Sequence, residues 1–430
     1  MANGLIIAAP SSGSGKTLIT MGLLGALKNR GVKVASAKTG PDYIDASFHA
    51  LTTKRPASNL DPWAMSEQQL RARATTAADG ADLLLIEGVM GLFDGAVSGK
   101  GSTADLAAAL DLPIILVVDV GSMAQSIAAV VHGFSTLRQD IKVAGAILNR
   151  VASARHEQML KSALEPLDIS YLGALGRDDE LTIPSRHLGL TLPQDFDAAN
   201  AVAMTSVERI EKNIDLSVLQ SIAMPIRYTS TPKRLAPLGQ HVAVARDAAF
   251  AFIYPHFLSD WQGMGAQISF FSPLRDEAPA LDADAIFLPG GYPELHAEHI
   301  SNASTFAKGM HLATDAGKLI YGECGGYMVL GQSLTNKQGE TQNMLGLLPH
   351  SSNINKPRRQ LGYRQLSHQS PLPWPKKLRG HEFHYSSQSG EIDNCLFEAT
   401  DAQGTPVAPM GCVLGSIMGS YAHIIDQAAE

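Results

Sequence analysis

Leu5-Ile6-Ile7-Ala8, followed by Pro10-Ser11-Ser12-Gly13-Ser14-Gly15-Lys16-Thr17, reads as a buried strand running into a phosphate loop that opens a helix. In that context the backbone N–H groups of Ser12, Gly13, Ser14 and Gly15 are expected to cradle phosphate oxygens at a helix N-terminus. Lys16 would neutralise the β- and γ-phosphates of ATP, and Thr17 would offer its hydroxyl to Mg²⁺. The loop departs from the strict motif at its first position, which is Pro10 rather than Gly.

Outward from this loop, β-rich runs alternate with helical stretches as far as about residue 220. A helix is expected from Thr17 to Asn29, stopped by Gly31, and a strand from Val32 to Ala37. Leu83-Leu84-Leu85-Ile86, Ile114-Ile115-Leu116-Val117-Val118 and Val143-Ala144-Gly145-Ala146-Ile147-Leu148 are continuous apolar runs, as buried parallel strands require. The fold class is therefore α/β, with ligands at the carboxyl ends of the strands. Pro225, Pro232 and Pro237 break the pattern, so 1–223 reads as one domain, 224–239 as a linker and 240–430 as a second α/β domain.

The second domain holds Gly322-Glu323-Cys324-Gly325-Gly326 between an apolar run and a helix-like segment. This G-x-C-x-G turn suits a nucleophile lifted out of a sheet edge. Cys324 would attack a carbonyl carbon, with N–H groups near Gly325 and from Gly290-Gly291 as oxyanion hole and His423 as base. His381 and His384 lack a clear third ligand, so a zinc site is not expected there.

Composition sets the outer limits. A chain of 430 residues with 45% hydrophobic and 17% charged residues is globular and holds two or three domains. A net charge of −7 without a Lys/Arg block argues against a nucleic-acid surface. No apolar run approaches the roughly 20 residues that span a bilayer, so no membrane partner is expected. Three cysteines (Cys324, Cys395, Cys412) fit a reducing cytosol, and a strand close to the N-terminus leaves no cleaved signal, so the expected location is cytoplasmic.

Polar residues at other strand ends complete the nucleotide site. Glu87 follows Leu83–Ile86, where a second Mg²⁺ ligand commonly sits, and Asn149 follows the run ending at Leu148, where it could read an adenine edge. Lys38 suits a charge placed on a transferring phosphoryl group. Asp42 and Asp45 read either as metal or catalytic residues or as turn and N-cap chemistry, and Asp94 equally as a turn residue.

Pro41-Asp42-Tyr43-Ile44-Asp45, Glu87-Gly88-Val89-Met90-Gly91-Leu92-Phe93-Asp94-Gly95, Pro289-Gly290-Gly291-Tyr292-Pro293-Glu294 and Gly380-His381-Glu382-Phe383-His384-Tyr385-Ser386 together resemble the a,c-diamide synthases of corrinoid biosynthesis, which act on cobyrinic or hydrogenobyrinic acid. The resemblance covers essentially the whole chain. It implies a dethiobiotin synthetase-like P-loop domain and a class I glutamine amidotransferase-like domain with Cys324 as nucleophile. It also implies ATP-dependent amidation of the c and then the a acetate side chains of the macrocycle through an acyl phosphate, with ammonia from glutamine. By the same resemblance Asp42, Asp45, Glu87 and Asp94 fall in substrate-and-ATP motifs, and Thr17 and Glu87 serve Mg²⁺. Tyr43 is grouped with Asp42, Asp45 and Asp94 toward the macrocycle, Asp42 with the metal ligands, and Asp45 with Lys38 as catalytic, a solvated lysine being the alternative for Lys38. The wider amidotransferase pattern has a Glu two residues after the histidine. Here that position is Ile425, with Asp426 next, so a Cys–His dyad is the expectation.

Alternatives stay open at this level. One is a nucleotide-switch or partitioning ATPase with a non-catalytic amidase-like domain. Another is a glutaminase feeding a separate subunit, and a third is amidation of other side chains of the kind cobyric acid synthase performs. Intact sites in both halves favour the ligase. Metal-free and cobalt-containing macrocycles are not separated, and neither are monomer and homodimer.

Overall fold

The computed structural model describes residues 2–178, 180–186, 189–227 and 230–428. The chain folds as two compact units, Met1–Lys233 and Arg234–Glu430. In the first, β1 (Asn3–Ala8), β2 (Val34–Thr39), β3 (Ser58–Leu60), β4 (Leu83–Glu87), β5 (Ile114–Asp119), β6 (Val143–Val151) and β7 (Ser170–Gly176) form a sheet in the order β3-β2-β4-β1-β5-β6-β7. All neighbours in that order are parallel. Both faces are covered, which is why these strands read as unbroken apolar runs rather than alternating ones. The chain leaves β1 toward β2 on one side and resumes with β5 on the other, so the carboxyl ends of β1 and β4 border a topological switch point.

Helix α1 (Lys16–Asn29) starts from Gly15, whose φ of 94° is left-handed and suits glycine. Its Ile19, Leu23, Leu24 and Leu27 join Leu5, Ile7 and Leu85 of the sheet in one core cluster. Each such buried side chain stabilises the fold by roughly 1.5–3 kcal/mol.

Two boundaries differ from the sequence reading. Val32 N–H donates to the Leu27 carbonyl (3.1 Å) and so belongs to the turn after α1, which moves β2 two residues on. Lys38 therefore lies inside a strand and is 2% exposed. The segment read as a linker begins in the sheet: Met224–Pro225 pairs antiparallel with Asn3 and Gly4 of β1. Residues 228 and 229 of that segment lie outside the described residues.

The second unit is built on six strands in the order Gln267–Phe271, His241–Ala245, Ala285–Leu288, Leu319–Glu323, Ile417–Ser420 and Cys412–Leu414. All pair parallel except the last, an antiparallel edge. A second, antiparallel sheet runs Glu398–Thr400, Gln360–Ser367, Lys377–His384 and His423–Gln427. Its register places His381 directly opposite His423. Among the described residues no helix is long and apolar enough to cross a membrane.

Candidate active sites

The phosphate loop leaves β1 with Gly13 at φ 78° and Gly15 at φ 94°, and Ser14 Oγ donates to the Ser11 carbonyl (3.0 Å). Lys16 Nζ donates to the carbonyls of Met90 (2.6 Å) and Ser11 (3.4 Å). Burial, and then the nearby Lys38 charge, lower its pKa. Thr17 Oγ1 donates to Glu87 Oε1 (2.9 Å) at the end of β4.

Glu87 is the hub of a buried network. Its Oε1 also accepts from Lys38 Nζ (2.9 Å), and its Oε2 shares a 2.5 Å hydrogen bond with His49 Nε2. Lys38 Nζ reaches Asp45 Oδ2 (2.6 Å) as well and donates to the Gly88 carbonyl (3.0 Å). One ammonium thus stands between two carboxylates. Burial opposes the charged forms throughout, but the Asp45 and Glu87 charges hold Lys38 firmly protonated. Burial would also raise Glu87, yet Lys38 and the His49 hydrogen bond keep it far below the usual carboxylate range. Burial and the Asp42 charge raise Asp45, against the pull of Lys38.

The remaining N-terminal candidates are placed as follows. Asp42 Oδ1 accepts from the N–H groups of Ile44 (2.8 Å) and Asp45 (3.1 Å), closing the first turn of α2 (Ile44–Thr53). Tyr43 stands half-buried at the start of the same helix. Asp94 is exposed, and its Oδ2 closes its own turn on Gly91 N–H (2.8 Å). Asn149 Nδ2 donates to the Ser14 carbonyl (2.9 Å) and its Oδ1 accepts from Arg150 N–H (3.0 Å), so this amide braces the phosphate loop. Beside it a cavity of about 350 Å³, lined by Leu18, Asn149, Leu175, Thr182 and Arg209 among others, has the size and mixed lining for a heteroaromatic base.

The hard oxygens of Thr17 and Glu87 beside the phosphate loop fit Mg²⁺, which takes one or two protein oxygens and fills its shell with phosphate and water. Asp42 Oδ1 already serves the helix start, as both Glu87 oxygens already serve Thr17, Lys38 and His49.

In the second unit Cys324 has φ 46° and ψ −103° at the head of the short helix Gly325–Leu330, the strained turn expected of a presented nucleophile. Its N–H donates to the Ser420 carbonyl (2.8 Å). A Cβ placed on Gly290 would lie 3.2 Å from His423 Nδ1 and 3.3 Å from Cys324 Cβ, so both side chains converge on this bare residue. A Cβ on Gly325 would lie 3.0 Å from Gly291 N, which puts the two proposed oxyanion-hole residues side by side. Burial, and then the Glu294 charge, push the Cys324 thiol far up. Burial, and then His381 and His384, pull His423 well below its ordinary value. The resting pair is a neutral thiol and a neutral imidazole, suited to general-base activation when substrate binds.

His381 and His384 do not converge on a common ligand. His381 Nε2 is 3.1 Å from Tyr254 Oη, and its ring stacks on His423 with centroids 4.9 Å apart. His384 bonds Glu382 Oε1 (3.0 Å) and Ser386 Oγ (2.9 Å).

Residues 5–190 match the CobQ/CobB/MinD/ParA nucleotide binding domain, and residues 241–430 match the CobB/CobQ-like glutamine amidotransferase domain. Hydrogenobyrinate a,c-diamide synthases of Brucella anthropi, Brucella abortus and Rhizobium meliloti are 50%, 49% and 47% identical to this chain, each over 99% of both sequences. The chain belongs to the hydrogenobyrinate a,c-diamide synthase family. The fold is accordingly a P-loop nucleotide-binding domain followed by a glutamine amidotransferase domain. A partitioning ATPase alone would account for the first match but not for the second.

Within this family fold the structure brings forward residues that sequence reasoning missed. His49 had a signal: it stands four residues after Asp45, on the same face of α2. Glu323, next to the nucleophile, lies with Oε2 3.8 Å from His423 Nδ1. The Met90 carbonyl that holds Lys16 has no signature in side-chain chemistry.

Proposed function

We propose that this chain converts the c- and a-acetate carboxylates of hydrogenobyrinic acid to amides, using ATP and glutamine. The observation that carries the reading is the coexistence, in a family member, of a phosphate loop tied to Glu87 through Thr17 and a Cys324 elbow converging with His423 on Gly290.

In the second unit His423 takes the Cys324 proton and the thiolate attacks the amide carbon of glutamine. The oxyanion faces the N–H groups of Gly291 and Gly325. Collapse returns the proton to departing ammonia and leaves a thioester, which water hydrolyses to glutamate. In the first unit the substrate carboxylate takes the γ-phosphoryl group of ATP, giving an acyl phosphate and ADP. Ammonia then displaces phosphate to leave the amide. Thr17 and Glu87 would hold Mg²⁺, which would supply charge neutralisation on the phosphates when bound. Lys16, on the phosphate loop, would serve the same purpose, and Lys38, paired with Asp45, would place its charge on the phosphoryl group in transfer. Three free cysteines support placing the reaction in the cytoplasm.

The test is product mass and ATP turnover with hydrogenobyrinic acid, Mg²⁺ and either glutamine or ammonium, for wild type and Cys324→Ala. Two successive carboxylate-to-amide changes are expected. The variant should lose them with glutamine and keep them with ammonium. ATP hydrolysis without amide from either nitrogen source would overturn the reading.

A further inference from the structure

Two residues after His423, where the wider amidotransferase pattern has a Glu, the strand carries Ile425. Ile425 is the extra residue of a register shift opposite Arg379 and Gly380, so Asp426 lies on the same sheet face as His423, two pairs along. Asp426 pairs in register with Arg379, and its Oδ1 accepts from Gln427 N–H (2.8 Å). Glu382 is occupied too, held by Arg364 Nε (2.7 Å) and His384 Nε2 (3.0 Å).

A carboxylate from the parallel sheet reaches the imidazole. Glu323 ends the strand Leu319–Glu323 immediately before the nucleophile, and both it and His423 are 2% exposed. Its Oε1 is fixed by Tyr321 Oη (3.0 Å) and Ile424 N–H (3.2 Å), which aims Oε2 at His423 Nδ1, 3.8 Å away. Cross-strand stacking on His381 holds the plane of the imidazole.

We propose that Glu323 is the positioning residue for His423: it fixes the Nδ1–H tautomer and stabilises the imidazolium formed when His423 takes the Cys324 proton. The charge usually supplied from beyond the histidine is here supplied from the residue before the cysteine. This rests on Cys324 and His423 being the glutaminase pair.

Glu323→Gln separates positioning from scaffolding. An amide oxygen still accepts from Tyr321 and Ile424, but an NH₂ group replaces the oxygen facing Nδ1 and favours the wrong tautomer. Steady-state kinetics on the full chain at pH 9, where the Glu323 carboxyl is ionised, should show glutamine-dependent kcat falling roughly 10²–10⁴-fold, with KM for glutamine within about threefold and ammonium-dependent amidation unchanged. Glu323→Asp should recover part of the loss. A Glu323→Gln enzyme with wild-type kcat for glutamine, or a loss confined to KM, overturns the proposal while the pair itself stands. If Cys324→Ala keeps glutamine-dependent amidation, the pair fails and the proposal with it.

Should Glu323→Gln fail to fold, ¹⁵N-histidine NMR of the wild type decides. It is recorded at pH 9, since burial raises the Glu323 carboxyl to about 8. His423→Gln assigns the signal. A protonated Nδ1 supports the proposal, and a protonated Nε2 overturns it.

Discussion

His49 Nε2 and Glu87 Oε2 share a 2.5 Å hydrogen bond between two side chains with no exposure to solvent. Lys38 and Thr17 occupy the other oxygen, so the carboxylate at the end of β4 is fixed before any ligand arrives. His49→Phe keeps a flat ring but leaves Oε2 without a partner, which costs about 1–3 kcal/mol in denaturant unfolding. The expected kinetic outcome is weaker ammonium-dependent amidation with a raised Mg²⁺ requirement. Unchanged stability and an unchanged Mg²⁺ titration would remove His49 from the site.

Glu87→Gln takes the charge itself. Lys38 would keep Asp45 as its carboxylate beside the Gly88 carbonyl, and breaking one partner of a buried pair typically costs about 3–5 kcal/mol. Amidation should fall by more than about 100-fold even with saturating ammonium, because the loss lies in the synthetase chemistry. A variant as active as wild type with ammonium would show that the carboxylate serves the fold alone.

The legible parts of this chain were those where one local pattern dictates one geometry. The phosphate loop and the Cys324 turn need glycine at fixed positions, and buried parallel strands need unbroken apolar runs. Lys38 was harder to read, because a lysine beside a strand end looks solvated until the register shows it between two carboxylates. His49 and Glu323 gain their roles from residues 38 and 100 positions away in sequence, Glu87 and His423. Asp42 shows the converse: a motif aspartate whose Oδ1 accepts from the N–H groups of its own helix start.

His350 offers a test of buried polarity. Its ring stacks on Tyr327 with centroids 3.9 Å apart, and neither nitrogen makes a well-formed hydrogen bond. Burial lowers its pKa to about 4, and the Tyr327 backbone only partly opposes this. The unfolded chain therefore takes up a proton first as pH falls. Stability present above about pH 6.5 is lost down to about pH 4. His350→Phe removes both the buried nitrogens and the titration. It should be at least as stable as wild type at pH 7 and lose less stability between pH 6.5 and 4. Parallel pH–stability curves for the two proteins would contradict this.

Cys324 carries a backbone cost that its own replacement can measure. A φ of 46° with ψ −103° strains any residue with a Cβ, by about 1–3 kcal/mol. Cys324→Ala keeps that strain, whereas Cys324→Gly releases it and pays about 0.5–1 kcal/mol in chain entropy. Both variants lose the thiol and its burial, so their difference isolates the turn. The glycine variant should be the more stable by about 1 kcal/mol, against the usual order of these two residues. Both should lose amidation with glutamine and keep it with ammonium. An alanine variant more stable than the glycine one would mean that the turn is relaxed and that Cys324 is presented without stored strain.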